Sequence, residues 1–329
     1  MIWLQFVLAS MVIVAAAIKL AEYGDAISVR TRIGGLFIGT LLMAGATSLP
    51  ELLISINSLS QNVPDMAAGN LFGSSMFNMC ILAMLDLSQR KVHIMRRVAI
   101  THGLTAGLAV LLSAIAVFFL LADVELMFGW VGTGSILLIV GYIIGVRLIR
   151  LANPMMEGVQ IDIEVDESVP AMKHALPGFM LATLALVLVT PYVVSSGTSI
   201  AETTGLSTGI VGTAMLAVVT SLPELVTTIA AVRMGAYDLA VGNLFGSNLF
   251  NMFALGITDV VYTKGDFLGD LNVDFALIGL LGLILTCLGL VANLARVERR
   301  LFSVEGDALL ILVVYLAGMG VLLGRGVSL

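Results

Sequence analysis

Ten stretches of about twenty predominantly apolar residues follow one another along this chain, joined by polar connections, and this pattern fixes the class of fold. A helix needs roughly twenty such residues to cross the hydrocarbon core. With no water there to satisfy backbone N–H and C=O groups, a spanning segment of this length must be helical. The stretches cover residues 2–22, 33–59, 66–87, 98–121, 127–150, 175–196, 207–232, 238–261, 272–295 and 306–324. Composition agrees: 59% of the 329 residues are hydrophobic and 12% charged, against about 45–50% and 25% in soluble domains. The expected class is an all-α integral membrane protein embedded in a lipid bilayer. The first run, Ile2 to Leu20, carries no basic leader and is expected to remain as the first crossing rather than be removed.

The longest hydrophilic connection, residues 152–174, contains Glu157, Asp162, Glu164, Asp166 and Glu167 and separates five helices (1–151) from five (175–329). Lys and Arg resist translocation and mark the inner side. With both termini outside, Lys264 and Arg325 are the outer ones and the rest of the 16 basic residues fall inside. The acidic linker then faces the cytoplasm, as expected for a prokaryotic cell membrane protein, and reads as a solvated connection. Because five is odd, the second half enters the membrane with the opposite orientation. Inverted repeats place a binding site near the midplane and permit alternating access.

A short text written twice says what that site handles. The first copy reads Thr47-Ser48-Leu49-Pro50-Glu51 and then Gly69-Asn70-Leu71-Phe72-Gly73-Ser74-Ser75-Met76-Phe77-Asn78. The second reads Thr220-Ser221-Leu222-Pro223-Glu224 and then Gly242-Asn243-Leu244-Phe245-Gly246-Ser247-Asn248-Leu249-Phe250-Asn251, at a constant offset of 173 residues. Helical spacing puts Thr47 and Ser48 on the face of Glu51, and Thr220 and Ser221 on that of Glu224. Each proline removes a helical donor and bends the backbone beside its glutamate. Asn70, Ser74 and Asn78 form one polar stripe at i, i+4 and i+8, and Asn243, Ser247 and Asn251 form its twin. The glycine pairs at small-xxx-small spacing allow close helix approach. Each first-motif helix is expected to pack on the second-motif helix of its own half, with all four meeting at the bilayer centre.

No Lys, Arg or His lies within these helical cores to neutralise the two glutamates. Two unpaired carboxylates at that depth cost several kcal/mol or more, and their combined charge matches one divalent cation. Carboxylate, hydroxyl, amide and carbonyl oxygens favour Ca2+ or Na+ over zinc or copper, and flexible coordination suits Ca2+ better than Mg2+.

The paired motifs resemble the two alpha repeats of the cation/calcium exchanger superfamily, particularly its sodium/calcium exchanger branch. The resemblance implies a secondary active antiporter exchanging Ca2+ against Na+, usually three, with no cofactor and no obligate protein partner. It implies Glu51 and Glu224 as central acidic ligands and Asn78 and Asn251 as the central amide pair. Thr47, Ser48, Ser74, Thr220, Ser221 and Ser247 would supply hydroxyl or backbone oxygens, and Ala44 and Ala217 backbone oxygens at outlying sodium positions. It also implies that the first and sixth helices slide across the others to switch access. The chain departs from the family pattern at Ala46 and Val219, where Gly is common, and in the pairing of Ser75 with Asn248. Asn251 is neutral where the potassium-dependent branch carries Asp, which speaks against potassium cotransport.

An H+/Ca2+ exchanger using the same glutamates is the nearest alternative, and a passive cation channel a more distant one. A hydrolase would need a nucleophile with a base or a metal. His93, His102 and His174 lie far from both motifs, and Cys80 and Cys287 lack metal-ligand spacing, so no enzyme activity is expected. The net charge of -6 offers no footprint for nucleic acid.

Overall fold

Among the described residues, nine helices are long and apolar enough to cross a membrane. The structure, a computed structural model, describes residues 1–31, 43–88, 94, 101–122, 126–152, 170–295, 300–301 and 304–325. The first half contains α1 (Ile2–Thr31), α2 (Leu49–Ser60), α3 (Pro64–Ser88), α4 (Thr101–Ala122) and α5 (Thr133–Leu151). The second contains α6 (Met172–Thr204), α7 (Thr208–Val211), α8 (Ala217–Thr220), α9 (Leu222–Arg233), α10 (Tyr237–Val261), α11 (Phe267–Asp270), α12 (Phe275–Ala295) and α13 (Gly306–Arg325). The tenth crossing, expected over 33–59, is seen as a helical turn at 43–47 followed by α2, and its beginning lies outside the described residues. Most of the acidic linker lies outside them too.

The repeat reaches beyond the motifs. α2 and α9 have 12 residues each and α3 and α10 have 25 each, and both pairs are related by the same 173-residue offset as the motifs. Two small antiparallel hairpins obey it as well: β1 (Met127–Phe128) with β2 (Val131–Gly132), and β3 (Arg300–Leu301) with β4 (Val304–Glu305). The first hairpin takes the place of the beginning of the helix expected over 127–150, which starts instead at Thr133. Gly129, at φ 70°, makes the first turn. The buried Asp259 anchors that hairpin, one carboxylate oxygen accepting from Gly132 N at 2.8 Å and the other from Phe267 N at 2.7 Å.

Lipid tails are as apolar as leucine, so the bundle hides its polar residues and shows its greasy ones. Trp3, Leu111, Phe118, Leu181 and Leu316 are exposed on the outer surface. α3 and α10 are the central helices, with 78% and 72% of their spans buried against 17% for α13. Phe72 and Phe245, related by the repeat, are buried on these two helices. The apolar interior forms two clusters. The larger joins α3, α4, α5, α10, α12 and α13; the other is built mainly by α1 and α6, which pack extensively together and meet the body through Ile54, Met66, Val211 and Leu216.

Contacts between connections agree with the expected threading. Lys264 bonds Asn62, and the Trp130 indole donates to Val260 O at 3.0 Å, joining segments expected on one side. His102 lies 3.3 Å from Asp238, and Arg30 Nε donates to Pro170 O, joining segments expected on the other.

Candidate cation site at two facing helix breaks

The two motif helices are broken at the same place. The helical turn 43–47 ends at Ser48, with φ -89° and ψ 6°, and α8 ends at Ser221, with φ -88° and ψ 4°. New helices start one residue later, with Pro50 and Pro223 in their first turns. A proline there loses nothing, because the first N–H groups of a helix have no helical acceptor. Glu51 and Glu224 therefore sit in the first turns of α2 and α9, where the helix dipole favours negative charge.

The hydroxyl arrangement corrects the expectation from helical spacing. Ser48 Oγ donates to Glu224 Oε1 at 2.9 Å, and Ser221 Oγ donates to Glu51 Oε1 at 3.3 Å, so each serine serves the glutamate of the opposite half. The break interrupts the regular turn that would have held Ser48 against Glu51. Ser247 Oγ adds a donor to Glu224 Oε1 at 3.3 Å.

The threonines are shared in the same crossed manner. Thr47 Oγ1 reaches Ala44 O at 3.1 Å and Asn243 Oδ1 at 3.5 Å, while Thr220 Oγ1 reaches Ala217 O at 3.3 Å and Asn70 Oδ1 at 3.2 Å. Ser74 Oγ lies 3.2 Å from Thr220 Oγ1 and 3.5 Å from Ala217 O. The Ala44 and Ala217 carbonyls also accept from Ser48 N and Ser221 N, at 2.9 and 3.1 Å.

Within each polar stripe the structure separates two kinds of asparagine. Asn70 and Asn243 use both ends of their amides: Asn70 Nδ2 donates to Glu51 O at 3.1 Å and Asn243 Nδ2 to Thr227 Oγ1 at 3.2 Å, and their oxygens accept from threonine. They hold helices together. Asn78 and Asn251, two turns further, keep Oδ1 without a hydrogen-bond partner among the described residues, and so do Glu51 and Glu224 at Oε2. All four side chains are at most 1% exposed. Buried polar atoms in native proteins are nearly always paired. Four oxygens are thus left without a hydrogen-bond partner among the described residues, at two repeat-related pairs of positions.

Close packing brings these elements together. A Cβ on Gly69 would stand 2.4 Å from Gly209 O, and one on Gly73 would stand 2.6 Å from Thr213 O. These glycines thus serve the contact of α3 with the second half, while α2 packs on α3 and α9 on α10 as expected. Their neighbour is a π-helical turn at Gly212–Leu216, just before α8. Such turns interrupt regular α-helices and are frequent at functional sites. The sequence carries no local signal for it, and its repeat mates fall largely outside the described residues.

The model of the family described as sodium/calcium exchanger protein matches residues 1–149 and 174–323. The chain belongs to that family. Inner membrane protein YrbG of Escherichia coli is 28% identical to this family member over 250 residues, covering 70% of each chain. Among solved structures, one titled as the H+/Ca2+ exchanger CAX superposes with a TM-score of 0.66 at 14% identity, covering 99% of this chain and 89% of that one. One titled as the sodium-calcium exchanger NCX_Mj gives 0.61 at 20% identity, covering 96% of each chain. These likenesses establish the fold as ten membrane helices in two inverted five-helix repeats.

Proposed function

We propose that this protein is a secondary active antiporter exchanging Ca2+ for Na+, and that Glu51, Glu224, Asn78 and Asn251 are the first ligands of the transported cation. The observation carrying this reading is the set of four buried, unpartnered oxygens at paired positions. Two carboxylates neutralise one Ca2+, and two amide oxygens complete a hard-cation set without nitrogen or sulfur. Ser48, Ser221, Ser74, Ser247, Thr47 and Thr220 surround it with hydroxyls, and the Ala44 and Ala217 carbonyls mark the outlying sodium positions. Na+ and Ca2+ then compete for the same glutamates, so they cross on alternate half-cycles. Exchange follows from shared ligands.

Burial of every one of these residues describes a site closed to both sides, which supports alternating access over an open channel. The mainly apolar cluster of α1 and α6 supports a mobile pair sliding across the other helices, with the hydrogen bonds from Asn57 Nδ2 to Thr190 Oγ1 and from Gln61 Nε2 to Pro191 O exchanged as it moves. Residues 1–151 and 175–329 act as the two repeats. The distribution of basic residues supports termini outside and a cytoplasmic 152–174 linker. The partners are Ca2+, Na+ and the bilayer.

The deciding experiment is 45Ca2+ uptake into proteoliposomes loaded with Na+ or choline at equal pH. Uptake that requires internal Na+ is the expected result. Uptake indifferent to Na+ but driven by a proton gradient overturns sodium coupling and assigns the glutamates to H+/Ca2+ exchange.

A further inference from the structure

Ser75 and Asn248 occupy the same position in the two repeats, carry different side chains, and each grips the central asparagine of the opposite half. Asn248 Nδ2 donates to Ser75 O at 3.1 Å and to Thr286 Oγ1 at 3.2 Å. A backbone carbonyl only accepts, so that end of the Asn248 amide must be the NH2 group. Its oxygen is then the end that meets Asn78, whose Nδ2 donates to it at 3.0 Å. This contact leaves Asn78 one free end, its oxygen.

The other repeat reaches the same outcome by different chemistry. Ser75 Oγ donates its single hydrogen to Leu71 O at 3.1 Å, again an acceptor-only group. Toward Asn251 it can only accept, and Asn251 Nδ2 donates to it at 3.3 Å. The free end of Asn251 is therefore also its oxygen. Both oxygens are among the four unpartnered oxygens of the site, and the side chains of Ser75, Asn78, Asn248 and Asn251 are all buried.

We propose that Ser75 and Asn248, the latter braced by Thr286, are positioning residues. They lock the two central amides with oxygen facing the transported cation and NH2 facing away, without touching the ion themselves. An amide turned the other way would present hydrogens to a cation, which repels it. The inference rests on Asn78 and Asn251 being ligands, and explains why unlike residues are tolerated at one repeat position: a serine committed to a carbonyl and an asparagine committed to a carbonyl are both pure acceptors for their partner.

The test exploits the symmetry of a carboxylate, which has no wrong orientation. Equilibrium 45Ca2+ binding to the purified full-length protein is measured together with its thermal unfolding midpoint. Ser75→Ala is expected to weaken Ca2+ binding about 5–10-fold, the worth of one hydrogen bond, at an unchanged midpoint, and Ser75→Thr to restore it. In an Asn251→Asp background the same Ser75→Ala change is expected to shift affinity by less than about 2-fold, because either oxygen serves. Asn248→Ala with and without Asn78→Asp repeats the comparison on the other side. Equal losses in both backgrounds, or a lowered midpoint with unchanged affinity, overturn the positioning role. Should Asn251→Ala and Asn78→Ala both leave Ca2+ affinity intact, the ligand assignment itself fails, a result distinct from the others.

Discussion

Glu51 and Glu224 each spend one oxygen on a serine of the opposite half and keep the other. That division lets a glutamate be held in place and still bind an ion. Glu51→Gln or Glu224→Gln preserves shape but halves the negative charge, leaving a divalent ion under-neutralised in a low-dielectric interior. Losing one member of a buried charge pair costs about 2–5 kcal/mol, so Na+-dependent 45Ca2+ flux should fall by at least about 30-fold in either variant. Near-normal flux in either would remove that residue from the ligand set. The glutamates, hydroxyls and asparagines were legible in the sequence, because a duplicated polar text in an apolar chain stands out. The partner of each hydroxyl was not. Helical spacing describes neighbours on one helix, whereas Ser48, Ser221, Ser75 and Asn248 all act across the interface between halves, a relation that depends on how two breaks face each other.

Helix existence was equally readable, since apolar length dictates it, and the two prolines marked the bends beside the glutamates, but two other interruptions were not readable. The first hairpin appears in the sequence as the start of a helix, and the π-turn at Gly212–Leu216 as nothing at all. The π-turn is pressed against α3 at Gly69 and Gly73, so these glycines should be intolerant of any side chain. A Cβ on Gly73 would lie 2.6 Å from Thr213 O and 2.8 Å from both Thr213 Cα and Ala217 Cβ, mostly backbone that cannot swing aside. Gly73→Ala is expected to destabilise by about 1–3 kcal/mol, as overpacking does, lowering the unfolding midpoint in detergent. Gly107 lies inside α4 with nothing within 4 Å of its would-be Cβ. Gly107→Ala should leave the midpoint unchanged or raise it, since Ala is the better helix former. Equal behaviour of the two variants would show that the contact of α3 with the second half is loose.

The halves are joined by crossed hydrogen bonds, while α1 and α6 pack together in a second, mainly apolar cluster. Such a molecule can keep its site intact while changing which side reaches it. Charge then decides how membrane potential acts on the cycle. With two ionised glutamates, one Ca2+ brings the occupied site to neutrality, whereas three Na+ leave it with one positive charge. The potential should therefore act on the sodium-carrying half-cycle and spare the calcium-carrying one. One charge crossing a membrane at 100 mV corresponds to roughly 2.3 kcal/mol, or about 50-fold in the Ca2+ gradient supported at equilibrium. Proteoliposomes loaded with Na+ and clamped at defined potentials with K+ and valinomycin provide the measurement. An inside-positive potential should drive Na+ out, increase 45Ca2+ uptake and raise its final level by about that factor per 100 mV. Uptake that ignores the potential would mean an electroneutral exchange of two monovalent ions for each Ca2+, with sodium occupying only the positions next to the two glutamates.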